Sequence, residues 1–156
     1  TKEDFQMKFP KIAMAVTAVS LAFAPIVATA GSQEMAMKYA IGNMDNLKWV
    51  PFGDGGPPMA MLWGDMQSGP HAFLLKVPPG FQNKPHSHDA DYRLIVLEGS
   101  GKHIVEGESM ENADVITEGG YWFQPGGQVH TDANAGDKEA LVLVIVDGPF
   151  TYHPAK

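Results

Sequence analysis

The feature that most constrains the fold of this chain is the frequency with which glycine and proline interrupt it. The sequence contains 17 Gly and 12 Pro among 156 residues, and after Ala30 no segment of useful length repeats its apolar residues with the period of a helix. Short apolar or β-branched runs lie between the turn residues instead, which favours many short β-strands and hence an all-β sandwich or barrel. We predict strands at residues 59–63, 70–77, 92–97, 102–106, 121–124 and 140–146.

Some of these segments carry more specific expectations. Residues 92–97 end at a Gly-Ser-Gly turn, and we expect residues 102–106 to pair with them as a hairpin across that turn. Residues 140–146 read ALVLVIV, and this uniform apolar run predicts burial on both faces of the strand. Trp63 and the aromatic residues at 121–123 are expected mainly in the core.

The first 30 residues differ in character from the remainder. Lys8 and Lys11 precede an apolar stretch at residues 12–27, and the Ala-Thr-Ala at 28–30 fits the small-x-small pattern of a cleavage site. The stretch is shorter than the roughly 20 apolar residues that cross a bilayer. Residues 1–30 are therefore predicted to be a secretory signal peptide rather than a membrane anchor.

This prediction sets the expected organisation of the chain. Residues 1–6 precede Met7, the expected start methionine. We expect cleavage before Gly31, an N-terminal arm at residues 31–57 and one domain at residues 58–156. The processed protein is expected in the periplasm or secreted, with no stable membrane anchor.

Composition excludes several classes of function. The chain carries 11 Lys+Arg against 18 Asp+Glu, a net charge of −7, and no basic block. A nucleic-acid partner is not expected, because phosphate binding needs clustered positive charge. There are no cysteines, so a metal site must use histidine, carboxylate or tyrosine oxygen.

Three of the six histidines occupy special positions. His86 and His88 are two residues apart, which on a strand places both side chains on one face, roughly 6–7 Å apart, where they can chelate one metal. His130 follows a Pro-Gly-Gly turn. An HxH pair alone is a weak signal, since a lone histidine is more often a hydrogen-bonded buried residue. The other three have no matching spacing and are interpreted as incidental: His71, His103 and His153.

These residues lie in two motifs that resemble those of the cupin superfamily. The first, G-x5-H-x-H-x3-E-x6-G, is matched from Gly80 through the HxH pair to Gly99, except that Tyr92 stands in the glutamate position. The second, G-x5-P-x-G-x2-H-x3-N, is matched at every fixed position: Gly119, Pro125, Gly127, His130 and Asn134. The resemblance implies a single-domain, all-β jelly-roll barrel that holds one divalent metal ion on His86, His88 and His130.

A narrower resemblance is to a bacterial cupin subfamily of unknown function. The residues that carry it are the runs at 62–65, 86–93 and 147–150. That subfamily is related to the cupin half of ChrR-type anti-sigma factors and resembles some small ketone-cleaving dioxygenases.

Tyr92 is the one departure from the motifs. Most metal cupins add a glutamate to three histidines, whereas here the corresponding residue offers a phenol. Strand alternation predicts that Tyr92 faces inward while Asp91 and Arg93 face away. A bulge at residues 89–91 would instead bring Asp91 to the metal. We interpret Tyr92 as a candidate catalytic residue that hydrogen-bonds a substrate oxygen.

The resemblance leaves several functions open. The first is an Fe(II) dioxygenase that cleaves a C–C bond in a small oxygenated substrate, with zinc, manganese or nickel as other candidate ions. The second is a non-catalytic metal- or small-ligand-binding periplasmic module, and the third is a zinc-dependent isomerase or hydrolase. The expected partner is a small molecule, and a homodimer is a further expectation because cupins often pair through edge strands.

Overall fold

The computed structural model describes residues 41–155, and these residues are almost entirely β-structure. A short 3-10 turn at Met44–Asn46 is the one helical element described. The strands are β1 Val50–Pro51, β2 Pro58–Gly64, β3 His71–Val77, β4 His86–Ser87, β5 Tyr92–Glu98, β6 Ser100–Val105, β7 Ile116–Thr117, β8 Tyr121–Gln124, β9 His130–Asn134, β10 Ala140–Val146 and β11 His153–Pro154.

The strands form two antiparallel sheets. One has six strands in the order β1-β2-β3-β10-β5-β8, and the other has five in the order β11-β4-β9-β6-β7. The expectation of an all-β fold is confirmed. Within the described residues, however, the architecture is two separately hydrogen-bonded sheets, and no closed barrel forms.

The expected hairpin between β5 and β6 is wrong. β5 pairs with β10 and β8, whereas β6 pairs with β9 and β7, so the two strands belong to different sheets. The length of the connection explains the change, because Gly99 alone lies between the two strands and the favoured hairpin loops have two or more residues. The connection carries the chain from one sheet to the other instead of reversing it within one.

The six-stranded sheet provides most of the hydrophobic core. Its inward residues include Phe73, Leu94, Val96 and Val142, all of them buried. The apolar strand β10 alternates between buried and partly exposed residues, so the expectation of burial on both faces is wrong. A run of aliphatic residues does not distinguish one covered face from two.

The expectation for the aromatic residues is correct only for Trp122. That side chain is 9% exposed, whereas Trp63, Tyr121 and Phe123 are 51%, 70% and 47% exposed. Strand alternation in β8 accounts for the difference, because Tyr121 and Phe123 lie on the face opposite Trp122.

The segment before β2 joins the six-stranded sheet. β1 pairs with β2, and the ring of Phe52 stacks on Phe73 at 5.4 Å. The signal peptide and residues 31–40 of the predicted arm lie outside the described residues. From 41 to 155, the chain has no helix with the length and apolar character needed to cross a membrane.

Candidate metal centre

Three histidines converge at the end of the five-stranded sheet. His86 opens β4 and His130 opens β9, and the two residues are directly opposite each other in the antiparallel pair. His88 follows two residues after His86 and returns to the same side. One ring nitrogen from each residue lies within 4.8 Å of the others, and all three side chains are buried.

Backbone carbonyls fix the tautomer of each ring. Nδ1 of His86 donates to the Lys84 carbonyl at 2.8 Å, and Nδ1 of His130 donates to the Gln128 carbonyl at 3.1 Å. Nδ1 of His88 donates to the carbonyl of Thr151. With the proton held on Nδ1, each Nε2 carries a free lone pair, which is how metal-binding histidines are usually oriented.

The Nε2 atoms then form a group of acceptors that lacks a donor. Nε2 of His86 lies 3.1 Å from Nε2 of His88, and Nε2 of His130 is buried with no hydrogen-bond partner. Two lone pairs at that separation repel each other, and a buried acceptor without a partner costs free energy. A cation between the rings removes both penalties, so these residues fit a metal ion.

Burial favours the neutral form of two of the rings, those of His88 and His130. Desolvation lowers the pKa of His88 to about 4, although its hydrogen bond to Thr151 acts in the opposite direction. Desolvation also lowers the pKa of His130, against the effect of nearby Asp132. Neutral imidazole is the form that binds metal, so these two rings are ready for a metal ion at neutral pH.

The glycine-rich turn of the second motif packs directly on the HxH segment. The amide of Gly127 donates to the His88 carbonyl at 2.7 Å. A Cβ on Gly126 would lie 2.1 Å from the Asp89 carbonyl oxygen, so only glycine fits there. The amide of Gly126 also donates to Oδ1 of Asp91 at 2.7 Å. Asp91 therefore holds the turn that precedes His130.

Tyr92 faces the histidines. It is 5% exposed, and its ring centroid lies 5.6 Å from the rings of both His88 and His130. Burial first, and then the negative charge of Asp132, raise the pKa of the Tyr92 phenol well above its usual value. The phenol stays protonated and can donate a hydrogen bond into the site.

Sequence reasoning missed two polar residues beside the triad, Asp132 and His103. Oδ2 of Asp132 lies 3.8 Å from Nε2 of His130, and Oδ1 lies 2.7 Å from Nδ1 of His103. Burial alone would raise the pKa of Asp132, but His103, His130 and Asn83 together lower it, so the carboxylate is ionised. A usable signal was present, because residue 132 has the same strand parity as His130.

The other two histidines lie elsewhere. His71 is fully buried at the start of β3, where its ring stacks on Phe73 at 5.8 Å. His153 is exposed and pairs with Asp89 at 2.9 Å.

A cavity of about 270 Å³ opens between the two sheets next to the triad. Its polar lining residues include His86, His88, Tyr92 and Asp132, and most of the remainder are aliphatic or aromatic. The C-terminal segment closes one side: Tyr152 stacks on His86 with ring centroids 4.6 Å apart, and Phe150 lies 4.6 Å from His88. The cavity suits a small molecule with an apolar body and a few polar atoms.

The model of a protein family described as Domain of unknown function (DUF4437) matches residues 42–156. The chain belongs to this family. Among curated proteins, no sequence matches it significantly.

Solved structures with the same fold confirm the cupin resemblance. An RmlC-like cupin from Shewanella frigidimarina is 18% identical with a TM-score of 0.57, covering 72% of this chain and 92% of its own. The polyketide cyclase RemF from Streptomyces resistomycificus is 17% identical with a TM-score of 0.63, covering 76% and 87%. A candidate acetylacetone dioxygenase from Methylibium petroleiphilum is 20% identical with a TM-score of 0.59, covering 74% and 81%. The DUF4437 chain therefore has a cupin fold.

Proposed function

We propose that this DUF4437 protein binds one divalent metal ion through His86, His88 and His130 and acts on a small, largely apolar molecule that carries oxygen atoms. The observation that carries the proposal is the convergence of three buried Nε2 lone pairs. Within the site they have no hydrogen donor, since the three protons are held on Nδ1 by backbone carbonyls.

The proposed activity is oxidative cleavage of a C–C bond, with Fe(II) as the favoured ion and zinc, manganese or nickel as the alternatives. A divalent ion at this position would polarise substrate oxygens, and iron would add reactivity toward dioxygen. Three protein ligands leave coordination positions for a substrate that binds through two oxygens. The fold shared with a candidate acetylacetone dioxygenase supports a β-diketone as the first substrate class to test.

Other side chains of the protein would orient the substrate, exclude water and support the histidine rings. The phenol of Tyr92 donates a hydrogen bond to a substrate oxygen and so fixes the substrate's orientation. The aliphatic and aromatic walls contributed by β3, β5 and β10 exclude water from the reacting atoms. Phe150 and Tyr152 pack against the histidine rings and hold them in place.

A second candidate is a zinc-dependent isomerase or hydrolase that needs no dioxygen. Asp132 favours it, because a carboxylate that lines the cavity can accept a proton from a substrate. The fold shared with a polyketide cyclase is consistent with such non-oxidative chemistry.

Oxygen uptake separates the two candidates. The purified protein is loaded with iron(II) or zinc and offered a panel of β-diketones and related ketones under air and under argon. Oxygen consumption only by the iron form supports the dioxygenase, and turnover by the zinc form under argon supports the second candidate. Stoichiometric metal with no turnover of any substrate would contradict a catalytic role and leave a binding module.

We also propose that the protein is exported, on the basis of the signal-peptide pattern at residues 1–30. N-terminal sequencing of the periplasmic fraction should then begin at Gly31. Full-length protein confined to the cytoplasm would contradict export without affecting the metal centre.

A further inference from the structure

Asp132 is the one carboxylate among the described residues that lines the cavity beside the three histidines. It lies on β9 two residues after His130, so both side chains leave the same face of the strand. The Asp132 side chain is 21% exposed, which removes much of the water that would otherwise screen its charge.

Two neighbours, Asn83 and His103, hold the carboxylate in one orientation. The amide group of Asn83 donates to Oδ2 of Asp132 at 3.1 Å, while Oδ1 of Asn83 accepts from the Asp132 backbone amide at 2.7 Å. Nδ1 of His103 lies 2.7 Å from Oδ1 of Asp132, and the His103 ring stacks on Trp122 with centroids 5.2 Å apart. Because its partners come from separate segments of the chain, the position of this carboxylate beside the histidines is fixed by the fold.

The three-histidine ligand set lacks the negative charge that would balance a divalent ion. Three neutral imidazoles give a divalent ion no negative charge, and the glutamate position of the first motif holds Tyr92, which has no carboxylate. The nearest distance from the Asp132 carboxylate to the triad is 3.8 Å, between Oδ2 and Nε2 of His130. At such separations a partly buried charge interacts strongly with a cation.

We infer that Asp132 supplies from β9 the negative charge that the first motif lacks at position 92, and that this charge stabilises a divalent ion on the three histidines. The inference rests on the metal centre of the proposed function. Asp132 acts as a positioned anion beside the ligands, and Asn83 and His103 are positioning residues that hold it.

Metal affinity tests this directly, with Zn²⁺ or Co²⁺ as the probe in competition with a chromophoric chelator at neutral pH. Asp132→Asn keeps the shape of the side chain and removes its charge, and we expect affinity to fall about 10- to 100-fold, as for other residues that support metal ligands. Asp132→Glu keeps the charge and should retain most of the affinity. Should Asp132→Asn fail to fold, Asp132→Ser removes the same charge and must show the same loss.

Asp89→Asn is the matched control. Asp89 is also a carboxylate paired with a histidine, His153, and it adjoins a ligand in sequence, but it is exposed. Its loss should change affinity less than about twofold, because solvent screens it.

The outcomes distinguish this inference from the metal centre itself. Wild-type affinity in Asp132→Asn, or equal losses in the Asn and Glu variants, would overturn the role of charge while leaving the three-histidine site intact. Absence of binding by the wild-type protein would instead refute the metal centre.

Discussion

The five-stranded sheet, with the segment that follows β4, gives the cavity its imidazoles and its carboxylate, whereas the six-stranded sheet gives it mainly aliphatic and aromatic side chains. His86, His130 and Asp132 lie on β4 and β9 of the first sheet. Phe73, with Val142 and Val144, lies on β3 and β10 of the second. Chemistry and packing thus come from different sheets, and the two properties should respond to different substitutions.

The largest expected effect is the loss of metal from a variant of the five-stranded sheet, the polar sheet of the two. Replacing both His86 and His130 by alanine removes two of three proposed ligands, and metal content after dialysis should fall from about one ion per chain to near zero. His153→Ala is the control, because that histidine is exposed and pairs outside the triad. Stoichiometric metal in the double variant would exclude this site.

A substitution in the six-stranded sheet, the apolar sheet of the two, should instead affect the stability of the fold. Phe73 is 1% exposed and packs against Phe52 and Phe150, so Phe73→Ala should lower the free energy of unfolding by about 3–5 kcal/mol. Urea unfolding of the metal-free protein measures this, with Phe123→Ala, at an exposed position, as the control. If Phe73→Ala retained stability but lost metal, the division of roles between the sheets would be wrong.

Sequence motifs anticipated the triad because its geometry depends on local spacing. His86 and His88 share a face through strand alternation alone, and the second motif matches at every fixed residue up to Asn134. The motif's asparagine has a clear structural role, since its side chain donates to the carbonyls of Val77 and Lys138, both at 2.8 Å. Such contacts recur with the fold and so can be recognised from the motif.

One feature that sequence reasoning missed, the contact between His103 and Asp132, depends on pairing between distant strands. His103 approaches Asp132 because β6 pairs with β9, which places these two residues directly opposite each other. His103 was interpreted as incidental because it has no spacing that matches the other histidines. The register between strands that are distant in the chain cannot be predicted from the periodicity of the sequence. For this reason the pairing of β6 with β9, and with it the contact of His103, was missed.

Acid should reduce stability through the buried histidines. The pKa of His88 is about 4 in the folded protein and near 6.5 in the unfolded chain, so the unfolded chain binds more protons between these values. The stabilisation is complete above about pH 6.5 and is lost as pH falls toward 4, by up to about 3 kcal/mol. The lowered pKa of His130 acts in the same direction.

Urea unfolding of the metal-free protein at about pH 7, 5.5 and 4.5 measures this dependence. His88→Gln should reduce the slope, and His153→Gln should leave it unchanged. An unchanged slope in His88→Gln would show that the triad's burial is not its source.

The smallest effect is expected at Tyr92, the polar exception in the apolar sheet. Its backbone belongs to β5, but its ring lies 5.6 Å from His88 and His130, so it joins the polar wall from the opposite side. Tyr92→Phe removes only the hydroxyl group. Metal content and affinity should therefore stay close to wild type, while binding of a substrate such as a β-diketone should weaken by about 1–2 kcal/mol, the contribution of one hydrogen bond.

Tyr92→Glu tests the same position in the opposite direction, because a carboxylate there restores the usual cupin motif and should tighten metal binding while closing one coordination position. Titration of the two variants with metal, and then with an oxygen-bearing ligand, separates the effects. Wild-type ligand binding in Tyr92→Phe, together with unchanged metal affinity in Tyr92→Glu, would return Tyr92 to the packing role of the other residues in its sheet. Weaker ligand binding in Tyr92→Phe and tighter metal binding in Tyr92→Glu would instead show that Tyr92, although it belongs to the six-stranded sheet, acts in the metal centre.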